Sequence, residues 1–401
     1  MSPVSALPAL LALLSAVGTC FIITRLYGPP LEHGRFASID GLRGYLALFV
    51  FFSHGCLWYF YLRDGLWMVP PSRLYTHMGE SSVAMFFMIT GFLFFSKIIS
   101  AQGRGLDWTR LFVSRLLRLA PLYLFAMLLM FAIVAWLSEG EIRESTFLLA
   151  KHAVEWLAFC VVGGPNLNAV KSTLAITAGV TWSLQYEWFF YCALPALALC
   201  LRVIPPLRYI VLGLLAALAF PYLGPKIYNL LAFAGGISAA LLSRAPEFRK
   251  FCSLRVASFI VIGCILAAVG LYPTVHESCP LLLLSIAFAL IACGNSLFGI
   301  FVHPVSRTLG QMAYSLYLLH GIALFVVFNF VVGLRSSRDL SPTGHWMLVI
   351  GVTPVLVALC YATFRLIEHP AMRRTDDVMA WLRSGRIGRR LGHVINASPN
   401  C

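Results

Sequence analysis

Charged residues are scarce in this chain of 401 residues: they make up 11% of it, whereas soluble domains contain roughly a quarter. Hydrophobic residues make up 60%, and the mean hydropathy is +0.83. A soluble fold of this size cannot hide so much apolar surface. The composition therefore excludes a soluble enzyme, a secreted disulfide scaffold and a disordered chain. It predicts an all-α polytopic integral membrane protein.

Several sequence signatures of chemistry are also missing. The chain contains no CxxC, GxxxxGK[ST], GxGxxG, HExxH or GxSxG, which removes the common zinc, nucleotide and serine-hydrolase motifs. Its eleven cysteines are an odd number, and nearly all lie in or beside apolar segments. We therefore interpret them as small buried hydrophobic residues and predict neither a disulfide nor a metal site.

A continuous basic patch is absent as well, although the net charge is +14. The Lys and Arg residues form short clusters between apolar segments, a pattern typical of cytoplasmic membrane loops. We therefore exclude nucleic acid as a partner and expect contact with membrane lipids instead.

What the chain does contain is a series of apolar segments close to the length of about 20 residues that a spanning helix needs. They predict eleven spans, at 7–27, 44–62, 81–99, 119–137, 182–201, 209–223, 228–242, 256–272, 281–301, 309–333 and 346–366. The stretch 138–181 has only short or weakly apolar pieces, so we predict a re-entrant or interfacial segment there. The first span lacks the basic start of a signal peptide, which favours a retained helix.

The basic clusters predict the orientation of these spans, because cytoplasmic loops are enriched in Lys and Arg. The segment 97–118 carries Lys97 and four arginines against Asp107 alone, so we place it in the cytoplasm. The basic residues at 202–208, 244–255 and 373–390 then fall on the same side. This orientation puts the N-terminus outside and the C-terminus in the cytoplasm, and we expect the membrane to be a bacterial inner membrane.

Ionisable side chains at membrane depth are costly and are therefore functional candidates. Arg43 and His54 lie eleven residues apart, which places them on one helix face about 16 Å apart. A surface cation and a deeper titratable base suit a substrate that is anionic at one end and reactive at the other. Asp40 can cap this helix or hold Arg43. The alternatives are a positive anchor for Arg43 and a packing histidine for His54.

Further polar residues stand in other predicted spans. Arg115 and Arg118 open the fourth span, where they either fix the topology or form a two-pronged phosphate site. Glu187 lies about a turn and a half into the fifth span, behind Trp182, and suits a water-filled cavity better than a structural ion pair. His320 lies in the tenth span, with a packing role as its alternative.

Six segments of the chain resemble, in order, the motifs of the acyltransferase-3 family of membrane acyltransferases. The first, SIDGLRGYLALFVFFSHG, carries Arg43 and His54, and the others are SVAMFFMITGFLFF (82–95), RLLRLAPLY (115–123), WSLQYEWFFY (182–191), AYSLYLLHG (313–321) and IEHP (367–370). Thr90 and Ala313 stand where the family usually has Ser, and both keep a small side chain. The resemblance covers most of the chain, from about residue 36 to 370.

The resemblance implies a core of ten spanning helices, which corresponds to our second to eleventh spans. We therefore expect a bundle of about eleven transmembrane helices, one of them an N-terminal addition. We divide the chain into an extra helix and loop at 1–35, an acyltransferase-3 membrane core at 36–372 and a cytoplasmic Arg-rich tail at 373–401. The tail is too short for the hydrolase domain that some members carry, so we expect a stand-alone form.

The resemblance also implies an activity, the transfer of an acyl group, usually acetyl, from cytoplasmic acyl-CoA to a hydroxyl of an extracytoplasmic glycan or glycolipid. Among the polar residues, those that match positions needed for activity in the family are Arg43, His54, Arg115, Arg118 and Glu187, with Tyr314 and His320 beside them.

These expectations combine into a hypothetical mechanism without a metal. Arg43, Arg115 and Arg118 bind the phosphates of the acyl-CoA, and His54 acts as general base or as a transient acyl carrier. The acceptor arrives past Trp182 and Glu187, and Glu187 orients His54 or binds acceptor hydroxyls. Tyr314 and His320 contribute to acceptor binding.

Two other functions compete with this hypothesis. The acceptor can instead be a small secondary metabolite such as a macrolide, which the enzyme core hardly distinguishes from a glycan. A transporter or flippase would also contain buried ionisable residues. Transporters often have two related halves, however, and the helix of Arg43 and His54 has no counterpart in the second half of this chain.

Overall fold

The computed structural model describes residues 2–30 and 36–384, and within these ranges it consists of helices and turns, without a β-strand. Predictions for the loop at 31–35 and for the tail beyond 384 lie outside the described residues. The described α-helices are α1 (Ala6–Tyr27), α2 (Ala37–Asp64), α3 (Arg73–Ser100), α4 (Trp108–Leu137), α5 (Thr146–Leu157), α6 (Thr173–Ile176), α7 (Trp182–Cys200), α8 (Leu207–Ala219), α9 (Ile227–Leu242), α10 (Pro246–Cys252), α11 (Arg255–Leu271), α12 (Ser278–Ala292), α13 (Pro304–Gln311), α14 (Ala313–Val326), α15 (Leu334–Asp339), α16 (Pro342–Thr363), α17 (His369–Arg373) and α18 (Thr375–Ser384).

Six helical segments of the described chain are long and apolar enough to cross a bilayer: Ala6–Tyr27, Ala37–Asp64, Arg73–Ser100, Trp108–Leu137, Ala313–Val331 and Pro342–Ser384. Each of the eleven predicted spans overlaps a helix, but the span 281–301 continues beyond the end of α12 at Ala292. None of the five spans between 182 and 301 is by itself both long and apolar enough to cross a bilayer. One of them, α9, is followed by α10 at a bend of 108°. The chain is a polytopic helical membrane protein, and the number eleven stays a prediction.

Most of these helices begin earlier than the predicted spans, and α4 and α2 are two examples that bear on the site. The α4 helix begins at Trp108, because Asp107 caps it by accepting a hydrogen bond from the backbone N–H of Arg110 at 2.9 Å. Arg115 and Arg118 therefore lie about two and three turns inside α4 and do not open the helix, while their place at the start of the membrane span stays a prediction.

The α2 helix begins at Ala37, so Arg43 also lies inside its helix. Two roles were expected for Asp40, to cap α2 or to hold Arg43. Its carboxylate holds Arg43 at 3.2 Å, and among the described residues no side chain caps α2.

Helix α2 lies at the centre of the bundle and packs against α3, α13 and α14. Two glycines permit the closest of these approaches. A Cβ atom at Gly310 would lie 1.7 Å from the carbonyl oxygen of Asp40, and one at Gly41 would lie 1.9 Å from that of Phe301. Only a hydrogen fits at these positions, so the backbones touch there. This contact fixes the position of the turn of α2 that precedes Arg43.

The predicted extra helix α1 packs along α16. Ala9, Ala12 and Ala16 form its buried stripe, and small side chains of this kind let two helices approach closely. The chain before α1 is held as well, since the indole of Trp346 donates to the carbonyl of Pro3 at 2.9 Å. The helix is therefore an integral part of the bundle.

The stretch 138–181 holds only α5 and α6, which have 12 and 4 residues and are too short to cross a bilayer. The chain after α6 enters the bundle beside α14. Thr177 is fully buried, and a Cβ atom at Gly321 would lie 2.4 Å from its carbonyl carbon. The carbonyl of Val180 accepts from the hydroxyl of Tyr317 at 3.1 Å. This segment therefore forms part of the wall around the middle of α14.

The described start of the tail, α18, lies against the start of α4. Asp376 pairs with Arg110 at 2.7 Å, and Arg383 pairs with Asp107 at 3.0 Å. These pairs are solvent-exposed and therefore weak individually, and they join the tail to the helix that carries Arg115 and Arg118.

Candidate active site

Three arginines from two helices line one cavity, which we call the arginine cavity. Arg43 comes from α2, and Arg115 and Arg118 come from α4. The cavity measures about 100 Å³, and its other walls include Glu187, Tyr191 and Tyr314. The sequence predicted the three guanidinium groups to act together, and the tertiary fold brings them together.

The arginine side chains are held by few partners of their own. Arg43 pairs with Asp40, and Arg115 lies over the ring of Phe94, 5.1 Å from its centroid. The Nε of Arg115 is buried and has no hydrogen-bond partner in the described part of the chain. A buried donor without a partner is costly, so this atom marks a place where an anionic ligand would restore a hydrogen bond.

The carboxylate of Glu187 lies in this same cavity. It accepts a hydrogen bond from Tyr191 at 3.1 Å, and the described structure gives it no contact with His54. The geometry thus places Glu187 among the guanidinium groups, away from the position that would orient His54. Three guanidinium groups against one carboxylate leave the cavity positive, which suits phosphate.

A second cavity of about 300 Å³ shares Arg43 and Arg118 with the first. Glu368 lines it and is almost fully buried. The hydroxyl of Ser315 donates a hydrogen bond to this carboxylate, and Thr363 donates to Ser315 at 3.2 Å. The last motif of the chain is therefore connected to the motif on α14, and both border the arginines.

His54 and His320 form a directly bonded pair. The Nε2 of His320 lies 3.1 Å from the Nδ1 of His54. His320 Nδ1 lies 2.9 Å from the carbonyl of Leu316, and His54 Nδ1 lies 3.0 Å from that of Val50. The sequence predicted both residues as site candidates but gave no sign that they touch.

The carbonyls of Leu316 and Val50 determine which ring nitrogen of each histidine carries the hydrogen. A neutral imidazole that faces a carbonyl through Nδ1 must carry its hydrogen there, which leaves the Nε2 of His320 as an acceptor. His54 Nδ1 faces two acceptors, Val50 and His320, so it too carries the hydrogen. The Nε2 of His54 is therefore the nitrogen with the free lone pair. This is the form that a base or a nucleophile requires.

His54 lines a separate cavity of about 500 Å³, which we call the histidine cavity. Its walls include Trp67, Trp182 and Tyr186, and the ring of Trp67 stacks on that of His54 at a centroid distance of 6.2 Å. Trp182 is 39% exposed. Aromatic faces with a few polar groups are typical of a site for a small organic ligand.

The two cavities meet at Tyr317 and Val83, which line both. The hydroxyl of Tyr317 bonds to Ser183 at 2.8 Å and donates to the carbonyl of Val180 at 3.1 Å. This side chain therefore forms the partition between the arginines and His54. Tyr317 was not among the predicted site residues, although it precedes His320 by three residues on the same helix face.

The other predicted residues divide between the two cavities. Trp182 lies in the histidine cavity, as its predicted acceptor role requires. Tyr314 instead lines the arginine cavity, where its hydroxyl donates to the carbonyl of Leu119 at 3.1 Å. Trp67 was missed because it lies beyond the end of α2, in a turn that no motif marks.

Comparison with known proteins gives one match. The acyltransferase-3 family model, described as an acyltransferase domain, matches residues 36–365. No curated protein and no solved structure matches the chain.

Proposed function

The chain belongs to the acyltransferase-3 family and is therefore a membrane acyltransferase, and from this premise we propose that it moves an acetyl group from cytoplasmic acetyl-CoA to a hydroxyl of an extracytoplasmic glycan or glycolipid. The observation that carries the proposal is the pair of cavities divided by Tyr317. One is positive, and the other holds a histidine with a free lone pair. A donor with phosphates at one end and a thioester at the other fits this arrangement.

The donor would bind through the arginine cavity. Arg43, Arg115 and Arg118 would grip its phosphates, with the Nε of Arg115 gaining the partner that it lacks. The second cavity, which shares Arg43 and Arg118, extends the room for the nucleotide end. This binding mode requires the arginine end of the bundle to face the cytoplasm, as the basic clusters predict.

The acceptor would bind in the histidine cavity, with its hydroxyl at the Nε2 of His54. As the acceptor oxygen attacks the thioester carbonyl carbon, His54 takes the hydroxyl proton. The tetrahedral intermediate collapses with cleavage of the C–S bond, and the departing thiolate takes the proton from the imidazolium. His320 would act as a positioning residue that holds His54 in the required tautomer. No metal enters these steps.

The test uses purified full-length protein in nanodiscs with radiolabelled acetyl-CoA. We expect the wild type to bind the donor and to release the CoA thiol slowly by hydrolysis. His54→Ala should lower thiol release at least about a hundredfold, the lower range for a general base, and should still bind the donor.

The matched control for this test is His77→Ala. His77 is a buried histidine that lies 2.8 Å from Ser81 and 2.9 Å from the carbonyl of Tyr272, but it lines neither cavity. Wild-type turnover in folded His54→Ala would refute the mechanism. Absence of both binding and hydrolysis in folded wild-type protein would refute acetyl-CoA as the donor.

A further inference from the structure

A polar cluster lines the histidine cavity together with His54. It comprises Glu80 on α3, Lys226 and Asn229 at the start of α9, and His276 in the turn between α11 and α12. None of these residues belongs to the motifs described above, and the proposed transfer step uses none of them. Three separate parts of the fold thus contribute polar groups to the same cavity.

The carboxylate of Glu80 already has hydrogen-bond partners in the turn between α11 and α12. Its carboxylate accepts hydrogen bonds from the hydroxyl of Thr274 and from the backbone N–H of Val275, the latter at 3.4 Å, and lies 3.5 Å from His276. Burial lowers the pKa of His276, while Glu80 raises it and Lys226 lowers it. Glu80 therefore serves to hold the turn in place.

Two hydrogen-bond donors of this cluster have no partner within the described part of the chain, the buried amide of Asn229 and the ammonium of Lys226, a solvent-exposed residue. Asn229 is 4% exposed, and its Nδ2 has no hydrogen-bond partner among the described residues. The ammonium of Lys226 forms no ion pair within the described part of the chain, and its backbone N–H donates to the hydroxyl of Tyr186 at 2.9 Å. That bond anchors the lysine at the cavity wall. A buried amide donor and a free ammonium together favour an anion.

We propose that Lys226 and Asn229 form a subsite for an anionic group, a carboxylate or a phosphate, carried by the acyl acceptor. This inference rests on the proposed function, because it names the acceptor class of that same cavity. The hydroxyl to be acylated would lie at His54, and the aromatic faces of Trp67 and Trp182 would pack against the sugar ring between the two ends. A sugar acid and a sugar phosphate both supply this chemistry.

The experiment measures acceptor-dependent release of the CoA thiol from acetyl-CoA by the full chain in nanodiscs. Three acceptors are compared: glucose, glucuronic acid and glucose 1-phosphate. We expect kcat/KM for at least one anionic sugar to exceed that for glucose by about tenfold or more, the value of one charge-assisted hydrogen bond. Comparison of glucuronic acid with glucose 1-phosphate shows whether the subsite accepts a carboxylate or a phosphate.

Two variants test the assigned residues. Lys226→Gln should bring the ratio of anionic to neutral acceptor use toward one, and Asn229→Asp should lower it further because a carboxylate of the same shape repels the anion. Arg73→Gln is the control, since Arg73 is an exposed cation that begins α3 and lines neither cavity. It should keep the wild-type ratio.

Several outcomes would overturn the subsite. Equal use of glucose and both anionic sugars by the wild type is one, and an equal loss with all three acceptors in Lys226→Gln is another. If no sugar accelerates thiol release although hydrolysis still requires His54, the subsite is wrong while the donor half of the proposed function stands. If acetyl-CoA is neither bound nor hydrolysed, the proposed function itself fails.

Discussion

The arginine cavity and the histidine cavity differ in what they can recognise. The first is small and positive, with three guanidinium groups against one carboxylate. The second is about five times as large by volume, 500 against 100 Å³, and is lined by aromatic rings with a few polar groups. Tyr317 and Val83 separate them. Under the proposed function, the small positive cavity takes the phosphates of the donor and the larger aromatic cavity takes the acceptor.

The largest expected effect is a loss of donor affinity at the arginine cavity, with the histidine cavity left unchanged. In Arg115→Met/Arg118→Met, two charge-assisted phosphate contacts are lost, each worth about 1.5–3 kcal/mol, so we expect at least about a hundredfold weaker binding of acetyl-CoA. Equilibrium binding of the radiolabelled donor is the measurement.

Arg104→Met serves as the control for the double variant, because Arg104 is exposed in the turn before α4 and lines neither cavity. The donor affinity of this control should equal that of the wild type. Undiminished binding by the double variant would show that the donor binds elsewhere.

The next effect concerns the histidine side. His320→Asn removes the acceptor nitrogen 3.1 Å from His54 Nδ1 and frees that ring to turn. We expect kcat to fall about tenfold to a hundredfold, the range of one or two lost hydrogen bonds, while the dissociation constant of acetyl-CoA stays the same. Steady-state kinetics and donor binding measured on one preparation separate the two quantities. A weaker donor affinity with unchanged kcat would reverse the assignment of the two cavities.

Smaller effects, on stability, are expected at two glycines, one packed on the arginine side of the bundle and one packed beside His320. Gly310 lies against Asp40 on the arginine side, and Gly321 lies against Thr177 beside His320. An alanine at either position overlaps backbone atoms and should lower the free energy of unfolding by about 1–3 kcal/mol. Gly310→Ala should mainly weaken donor binding, and Gly321→Ala should mainly lower kcat.

The control for the glycine pair is Gly263→Ala. No atom lies within 4 Å of a Cβ at this position in the middle of α11, so alanine should be neutral or slightly stabilising there. Thermal unfolding in detergent compares the three variants. Equal melting temperatures for all of them would show that the tight contacts at Gly310 and Gly321 are not needed for stability.

The smallest effect should arise at the partition itself. Tyr317→Phe keeps the ring but removes the hydroxyl that bonds to Ser183 and Val180, a loss of about 1 kcal/mol. A looser partition should admit water to the thioester and raise acceptor-independent hydrolysis about twofold to fivefold, because 1 kcal/mol corresponds to a factor of this size. Release of the CoA thiol without acceptor measures it. A rate equal to that of the wild type would mean that this hydroxyl does not separate the cavities.

Much of the fold and part of the site could be predicted from local sequence. The apolar segments predicted helices, and each predicted span overlaps one, because a spanning helix satisfies its own backbone and needs only a run of apolar residues. The spacing of Arg43 and His54 and the spacing of Arg115 and Arg118 follow from 3.6 residues per turn. Helix starts were less well predicted, since α4 begins in a polar turn that Asp107 caps.

The sequence by itself determined that this chain is a helical membrane protein of the acyltransferase-3 type, together with most of its polar candidates. Only the tertiary structure decided which candidates meet: His320 with His54, Glu187 with the arginines, and Tyr317 between the two cavities. The physical reason is that helical periodicity fixes the face of each side chain within its own helix. The rotation and depth of one helix against another depend on contacts such as that of Gly310 with Asp40, which join residues far apart in the chain.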